Sequence, residues 1–185
     1  MRQIIKKILL AFILLISFFG FSQVDEFQFN HISTSEGLSQ SSVIDIHQDQ
    51  FGQMWFGTRD GLNKYNGNSF TVYRNIPDDK NSISNNDILS IIEDKEGFIW
   101  IGTYNGLNKY DPKKDLFTNY FHSNEPNSLS NNIIRIIKEM SNGEIWVGTS
   151  SGLSFYDKKT DSFTNIYNNK ENNKSICRWC CPASY

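Results

Sequence analysis

Three cysteines are the most closely spaced residues whose chemistry could be catalytic or metal-binding. Cys177, Cys180 and Cys181 all lie within the last nine residues of the chain. The C-x-x-C spacing of Cys177 and Cys180 could supply half of a zinc site or a redox pair. A structural zinc site needs four ligands, and no partner stands at a suitable spacing. The histidines are scattered singly, at His31, His47 and His122. We therefore predict no metal site and no cofactor.

Paired carboxylates are a second catalytic candidate, because glycosidases use two of them at a defined separation. Asp49 and Asp94 recur at the same place in two similar segments, which predicts a structural role in a turn. The glycine pair at Gly102 and Gly106 lacks the helix and the lysine of a phosphate-binding loop. The sequence shows neither a cluster of arginines nor a Ser/His/Asp arrangement. We therefore predict no catalytic residues and no enzyme activity for this chain.

A sequence unit recurs three times, marked by tryptophans at intervals of 45 and 46 residues. Two glycines and a tyrosine follow each tryptophan at fixed offsets. These shared positions are Trp55, Gly57, Gly61 and Tyr65; Trp100, Gly102, Gly106 and Tyr110; and Trp146, Gly148, Gly152 and Tyr156. Three copies with this many matched positions predict a repeat architecture.

Each unit is predicted to form four short strands, which in the middle copy are 88–93, 98–103, 107–111 and 116–121. The apolar run at 88–92 also has helical spacing, but it is short, rich in Ile and bounded by turn residues, which favours a strand. Four antiparallel strands in about 46 residues fit one blade of a β-propeller. The tryptophan is then expected to fill the space between blades, and the glycines to serve a tight turn.

The predicted fold is therefore all-β, with blades at about 39–83, 84–129 and 130–175 and an additional strand at about 27–33. Together they make a partial propeller over residues 23–176. Three complete blades are fewer than the four to eight that usually close a ring. We therefore expect an incomplete ring.

Both ends of the sequence depart from the repeats. Residues 1–22 combine three early cations with an apolar run at 8–19 and small residues, which predicts a secretory signal peptide and export. Residues 177–185 replace the next expected copy with a Cys-rich segment, which we interpret as a frameshift or a truncation. The net charge of −2 excludes the basic surplus typical of a nucleic-acid binder.

The up-and-down path of four strands brings certain turns to one face. The turn between second and third strands lies on the same side as the loop that leads to the next blade, here 75–87 and 122–132. Variable residues on a repeated frame are expected to carry specificity. They are Arg59, Asp60, Tyr104, Asn105, Ser150 and Ser151. These side chains suit sugar hydroxyls and carboxylates, so we predict a ligand face here.

The segment Ile99–Asp111, together with an upstream Ser-Asn-Asn-x-Ile and the Asp94-x-x-Gly97 turn, resembles the two-component regulator propeller repeat. The resemblance extends over about 29–176. The third copy departs from it at Met140, where the pattern has Asp. Proteins of this kind in Bacteroidetes are exported sensors that lead into a membrane span, a histidine kinase and a receiver.

The resemblance implies that this chain is a periplasmic, ligand-sensing part of a hybrid two-component sensor that detects glycan breakdown products and starts a phosphorelay. An oligosaccharide, further blades and a membrane-spanning kinase are then its expected partners, with a homodimer in the longer protein and no nucleic-acid contact. The alternatives are an exported propeller that serves as a scaffold for protein–protein interaction, and a fragment of a carbohydrate-active enzyme.

Overall fold

A computed structural model of the chain describes residues 1–6 and 29–167. The chain divides into two compact units, Met1–His31 and Ile32–Tyr185. In the first unit, residues 2–6 are helical, and the remainder of the predicted signal peptide lies outside the described residues, as does the predicted tail at 177–185. Across the two described ranges, no helix has the length and apolar character needed to cross a membrane.

The described part of the second unit contains three four-stranded antiparallel sheets, in which each strand pairs with its neighbours in chain order. Blade 1 consists of β1 (Val43–Gln48), β2 (Met54–Thr58), β3 (Gly61–Tyr65) and β4 (Phe70–Tyr73). Blade 2 consists of β5 (Ile88–Glu93), β6 (Ile99–Thr103), β7 (Gly106–Asp111) and β8 (Leu116–Tyr120). Blade 3 consists of β9 (Ile134–Glu139), β10 (Ile145–Thr149), β11 (Gly152–Asp157) and β12 (Ser162–Tyr167).

The Ile-rich runs with ambiguous spacing are strands, as predicted. They form β5 and β9, the first strands of blades 2 and 3, and each first strand packs against the first strand of the neighbouring blade. β5 lies between β1 and β9 and is covered on both faces, so its sequence reads as a continuous apolar run rather than as an alternation. Among the first strands of the described blades, β9 packs against β5 only, and its Ile136 is 58% exposed. In β1, which has no earlier blade against it in the described chain, exposed and half-buried residues alternate instead.

The repeated tryptophans pack between blades, as the sequence predicts. Trp55 is fully buried in a cluster with residues of blade 2 that include Ile88 and Ile91. Trp100 is fully buried in the corresponding cluster between blades 2 and 3. Trp146 lies on the face of blade 3 that no described blade covers, and it is half-buried. Burial of the repeated tryptophan therefore depends on whether a described blade packs against it.

The two repeated glycines have different roles, which the sequence interpretation did not separate. Gly106 lies in the β6–β7 turn at φ +116°, a backbone conformation that residues with a side chain rarely adopt. Gly102 is in a strand, and a Cβ there would lie 2.6 Å from Ile134 Cγ2 of blade 3. Gly57 meets Ile88 in the same way, at 2.7 Å. Gly57 and Gly102 thus allow the next blade to approach closely, whereas Gly106 permits the turn.

The predicted strand at about 27–33 is not found over residues 29–33, and residues 27 and 28 lie outside the described ranges. The chain instead enters a short 3-10 helix, Thr34–Glu36, that Ser33 caps. The Ser33 backbone N–H donates to Glu36 Oε2 at 2.7 Å. A capping box of this kind satisfies backbone N–H groups at the start of a helix.

Candidate functional site

A buried threonine fixes each turn between the second and third strands of a blade. In blade 2, the Thr103 hydroxyl donates to Gly106 O at 2.9 Å and accepts from Asn105 N at 3.1 Å. The hydroxyl of Ser84 lies 3.2 Å from that of Thr103 and joins the inter-blade loop to the turn. The same bonds recur at Thr58 and Thr149. The same three hydrogen bonds therefore hold the turn backbone in every described blade.

Backbone bonds tie these turns to the inter-blade loops. Gly61 N donates to Asn86 O at 2.8 Å, and Gly106 N donates to Asn132 O at 2.7 Å. Tyr104 N donates to Asp87 O at 3.0 Å. The structure therefore places the three turns and the loops 75–87 and 122–132 on one side of the blades, which we call the turn face.

The predicted ligand residues on the turn face differ in how freely they present their side chains. Asp60 pairs with Arg74 at 2.9 Å, and this hydrogen bond lowers the pKa of its carboxyl below the usual range. Ser150 Oγ accepts from Arg135 Nε at 3.1 Å. Ser151 Oγ accepts from Asn131 Nδ2 at 2.9 Å. These three groups are already engaged within the protein.

The remaining three predicted residues are exposed: Arg59, Tyr104 and Asn105. Their backbone N–H groups bond to the frame, and Arg59 N donates to Gln40 Oε1 at 3.1 Å. Within residues 29–167, their side chains form no hydrogen bond or ion pair. A guanidinium, a phenol and an amide thus stand free on a rigid support, which suits binding of a polar ligand.

Some residues of the turn face are not evident from the repeat. Arg74 follows β4 directly, at a position that Phe121 and Tyr167 take in the other blades. That departure from the repeat is a sequence signal for its bond to Asp60. Gln40 has no such signal, because its partner is the backbone of a turn 19 residues away.

The inter-blade loops of the turn face also line two cavities at repeat-related positions. One, of about 410 Å³, lies between residues 75–80 of the first loop and β8, with Asn119 and Phe121 in its wall. The other, of about 500 Å³, lies between residues 122–127 of the second loop and β12. Each loop thus forms a depression with the outer strand of the blade that follows it.

The paired carboxylates have structural partners. Asp49 Oδ2 accepts from Trp55 Nε1 at 2.9 Å, and Asp94 Oδ2 accepts from Trp100 Nε1 at 2.8 Å. The other carboxylate oxygen of each Asp accepts two backbone N–H groups of its own turn. Over residues 1–6 and 29–167, no group of three or more His, Cys, Asp or Glu could hold a metal ion. These contacts give each of the two aspartates a structural role in its own turn.

Tyrosine hydroxyls bridge neighbouring blades on the side opposite the turn face. Tyr156 donates to Asp161 Oδ1 at 2.6 Å, and Tyr120 of blade 2 donates to the same oxygen at 2.7 Å. Tyr73, Tyr110 and Asp115 form the corresponding cluster between blades 1 and 2. Tyr73 and Tyr120 hold the same position of the repeat, three residues after Phe70 and Phe117, and blade 3 has Ile166 there. The recurrence of this second tyrosine in two copies is a sequence signal for the cluster.

We expect the free energy of unfolding to fall as the pH rises above about 10. Burial, and then the bond to Asp161, raises the pKa of Tyr156 to about 12. Burial also raises the pKa of Tyr73, Tyr110 and Tyr120 above the ordinary value of 10. Between these values the unfolded chain loses phenolic protons that the folded chain retains, so stability present below pH 10 is lost through pH 12. Urea unfolding at pH 8 to 11.5 measures the slope.

Tyr156→Phe is the matched variant for this pH dependence. It removes one raised pKa while it keeps the ring in place, so its stability should fall less steeply above pH 10 than that of the parent chain. Equal slopes for the two proteins would contradict the assignment.

Parts of the first two repeats match a known family. The model of the two component regulator propeller matches residues 37–60 and 82–105. A histidine kinase, P4, of Formosa agariphila is 53% identical over 74 residues, which are 38% of this chain and 5% of that protein. Blade 3 has the same strand order as the matched blades, although Met140 and Ser154 replace the Asp and Asn of the other copies.

Solved structures of extracellular domains share the fold. The extracellular domain of a hybrid two component system from B. thetaiotaomicron is 30% identical, with a TM-score of 0.72 over 80% of this chain and 21% of that one. A second such domain from the same organism is 24% identical, with a TM-score of 0.68 over 83% and 20%. The chain thus spans about a fifth of each domain. These matches identify residues 37–60 and 82–105 as two component regulator propeller repeats, and the blades that contain them share the fold of the extracellular domain of a hybrid two component system.

Proposed function

We propose that this chain is part of the ligand-sensing propeller of a hybrid two-component sensor, that it is exported to the periplasm, and that its turn face binds glycan breakdown products. The free side chains of Arg59, Tyr104 and Asn105 on the hydrogen-bonded frame carry the proposal. The related extracellular domains and the kinase relative support a sensory role, and the predicted signal peptide at 1–22 supports export.

The chemistry of these three side chains suits an oligosaccharide. Tyr104 is 50% exposed, and its ring offers a flat surface on which a sugar ring can stack. The Arg59 guanidinium can donate two parallel hydrogen bonds to a carboxylate. The Asn105 amide both donates and accepts, as a sugar hydroxyl does. Because neighbouring blades share the tyrosine and tryptophan clusters, a ligand that spans two turns would alter blade packing, and this change is the proposed signal.

The test is binding of the full-length chain to a glycan array, followed by calorimetry with the fragments that bind. Arg59→Ala and Tyr104→Ala are each expected to weaken binding about tenfold, as loss of a principal contact does. Lys159→Ala, which changes an exposed residue of the β11–β12 turn on the opposite side, should leave affinity unchanged. Thermal unfolding followed by circular dichroism verifies that the variants fold.

Two outcomes would contradict this proposal. Glycan binding that survives both substitutions would exclude the turn face as the ligand site. Absence of binding to any glycan, together with capture of a defined protein partner, would favour an interaction scaffold.

A further inference from the structure

The two blade junctions differ on the side opposite the turn face. Between blades 2 and 3, Lys158 Nζ lies 3.0 Å from Glu96 Oε1 and closes the junction with an ion pair. The corresponding positions between blades 1 and 2 are Pro112 and Phe51. Phe51 lies in the β1–β2 turn and is 72% exposed. Two apolar groups thus replace an ion pair, and one of them is a large aromatic side chain in contact with solvent.

A cavity of about 400 Å³ opens at this junction of blades 1 and 2. Phe51, Phe98 and Pro112 contribute its apolar surface, and Gln50, Glu96, Asp111, Lys113 and Lys114 contribute polar and charged groups. Aromatic walls beside fixed polar groups are typical of small-ligand sites. The cavity therefore has the composition of a binding site, although it lies away from the turn face.

One contact across the junction and one within blade 2 hold the walls of this cavity. Gln50 donates to Glu93 of blade 2 through its backbone N at 2.8 Å and its side-chain Nε2 at 2.9 Å. Lys109 Nζ lies 3.9 Å from the centroid of the Phe98 ring and holds that ring by a cation–π contact. A site whose walls are already in place loses little conformational freedom when a ligand binds.

The charges around the cavity leave one cation available. Glu96 is paired with Lys158, and Asp111 is paired with Lys114 at 3.4 Å. Lys113 lines the cavity, is exposed, and has no ion-pair partner among residues 29–167. An incoming negative group would therefore meet an uncompensated ammonium group rather than displace an existing partner.

We propose that this cavity binds a sugar ring that carries an anionic substituent. The apolar face of the ring stacks on Phe51 and Phe98, the amide of Gln50 bonds to a hydroxyl, and Lys113 pairs with the anionic group. A neutral sugar would make the first two contacts only. The site is separate from the turn face, so it does not depend on the glycan site proposed there.

The experiment is calorimetric titration of the full-length chain with glucuronate, glucose 6-sulfate and glucose. The two anionic sugars are expected to bind about fivefold more tightly than glucose, which is the scale of one exposed ion pair. Adding 0.5 M NaCl should remove this preference. Equal affinity for the three sugars, or no binding of any of them, would overturn the proposal.

Single substitutions locate the site. Lys113→Met should abolish the preference for the anionic sugars, and Phe51→Ala should weaken all three sugars about fivefold to tenfold. The matched control is Lys159→Met, because Lys159 holds the position of Lys113 in blade 3. If Lys159→Met reduces the preference as much as Lys113→Met does, the cavity is not the site.

Tyr104→Ala separates this inference from the proposed function. It changes the turn face and should leave intact the part of glucuronate binding that Lys113→Met and Phe51→Ala remove. Loss of glucuronate binding in Tyr104→Ala, with none in Phe51→Ala, would assign the anionic sugar to the turn face and overturn the cavity site.

Discussion

Trp100→Ala is expected to lower the free energy of unfolding by about 3–5 kcal/mol, the range for deletion of a fully buried aromatic side chain. Trp100 has no exposed surface and lies in the cluster that joins blades 2 and 3, with Ile134 and Ile137 of the first strand of blade 3. Its ring also contacts Tyr156 edge-on at 4.8 Å between centroids. The substitution therefore leaves a cavity between two blades. Urea denaturation followed by circular dichroism measures the loss.

Trp146→Ala is the matched control for this prediction. Trp146 occupies the same position of the repeat but is half-buried, and its ring contact is with Phe155 of its own blade, at 4.8 Å. We expect a loss of about 1 kcal/mol, in keeping with partial burial. If the two substitutions cost the same, packing between described blades does not explain the role of the repeated tryptophan.

Much of the blade could be predicted because its determinants lie within one repeat. The strands of blade 2 are found within one residue of their predicted ends, since each turn that bounds them contains Asp or Gly. The position of Trp100 follows from the same spacing. The role of Gly102 could not be predicted in this way, because the atom that it accommodates belongs to Ile134 of the next blade.

In the candidate sites too, some features follow from a single repeat and others depend on contacts outside it. The up-and-down path of successive strands is enough to place Arg59 and Tyr104 on one face. The pairing of Asp60 with Arg74 depends instead on where the outer strand β4 ends. The cavity at Phe51 could not be predicted from the repeat, because the repeat is defined by positions that carry the same residue in each copy. The sequence signal for this cavity is that the copies differ at this position, which is Phe51 in blade 1 and Glu96 in blade 2.

Asp94→Ala is expected to lower the free energy of unfolding by about 3 kcal/mol. Asp94 is buried, and its carboxylate accepts from Glu96 N, Phe98 N and Trp100 Nε1 at 3.0, 3.0 and 2.8 Å. Alanine removes all three acceptor contacts. The two turn amides can then bond to water, but the indole N–H is fully buried, and a buried donor without a partner costs about 1–3 kcal/mol. Urea denaturation again provides the measurement.

Blade 3 offers the matched control for Asp94→Ala. Met140 holds the position of Asp94, and the bonds that it cannot make are divided between two other residues. Asn142 Oδ1 accepts from Glu144 N at 3.1 Å, and Glu144 Oε2 accepts from Trp146 Nε1 at 3.2 Å. Met140→Ala should therefore cost less than about 1 kcal/mol, because it removes no hydrogen bond.

The double variant Asp94→Ala/Trp100→Ala tests whether the carboxylate acts through the tryptophan. Without the indole, loss of the carboxylate leaves no buried N–H unpaired, so the two single losses should not add. We expect the double variant to be about 1–2 kcal/mol more stable than their sum, as for residues in direct contact. Additive losses would mean that Asp94 stabilises only its own turn, and that the tryptophan is held in place by packing alone.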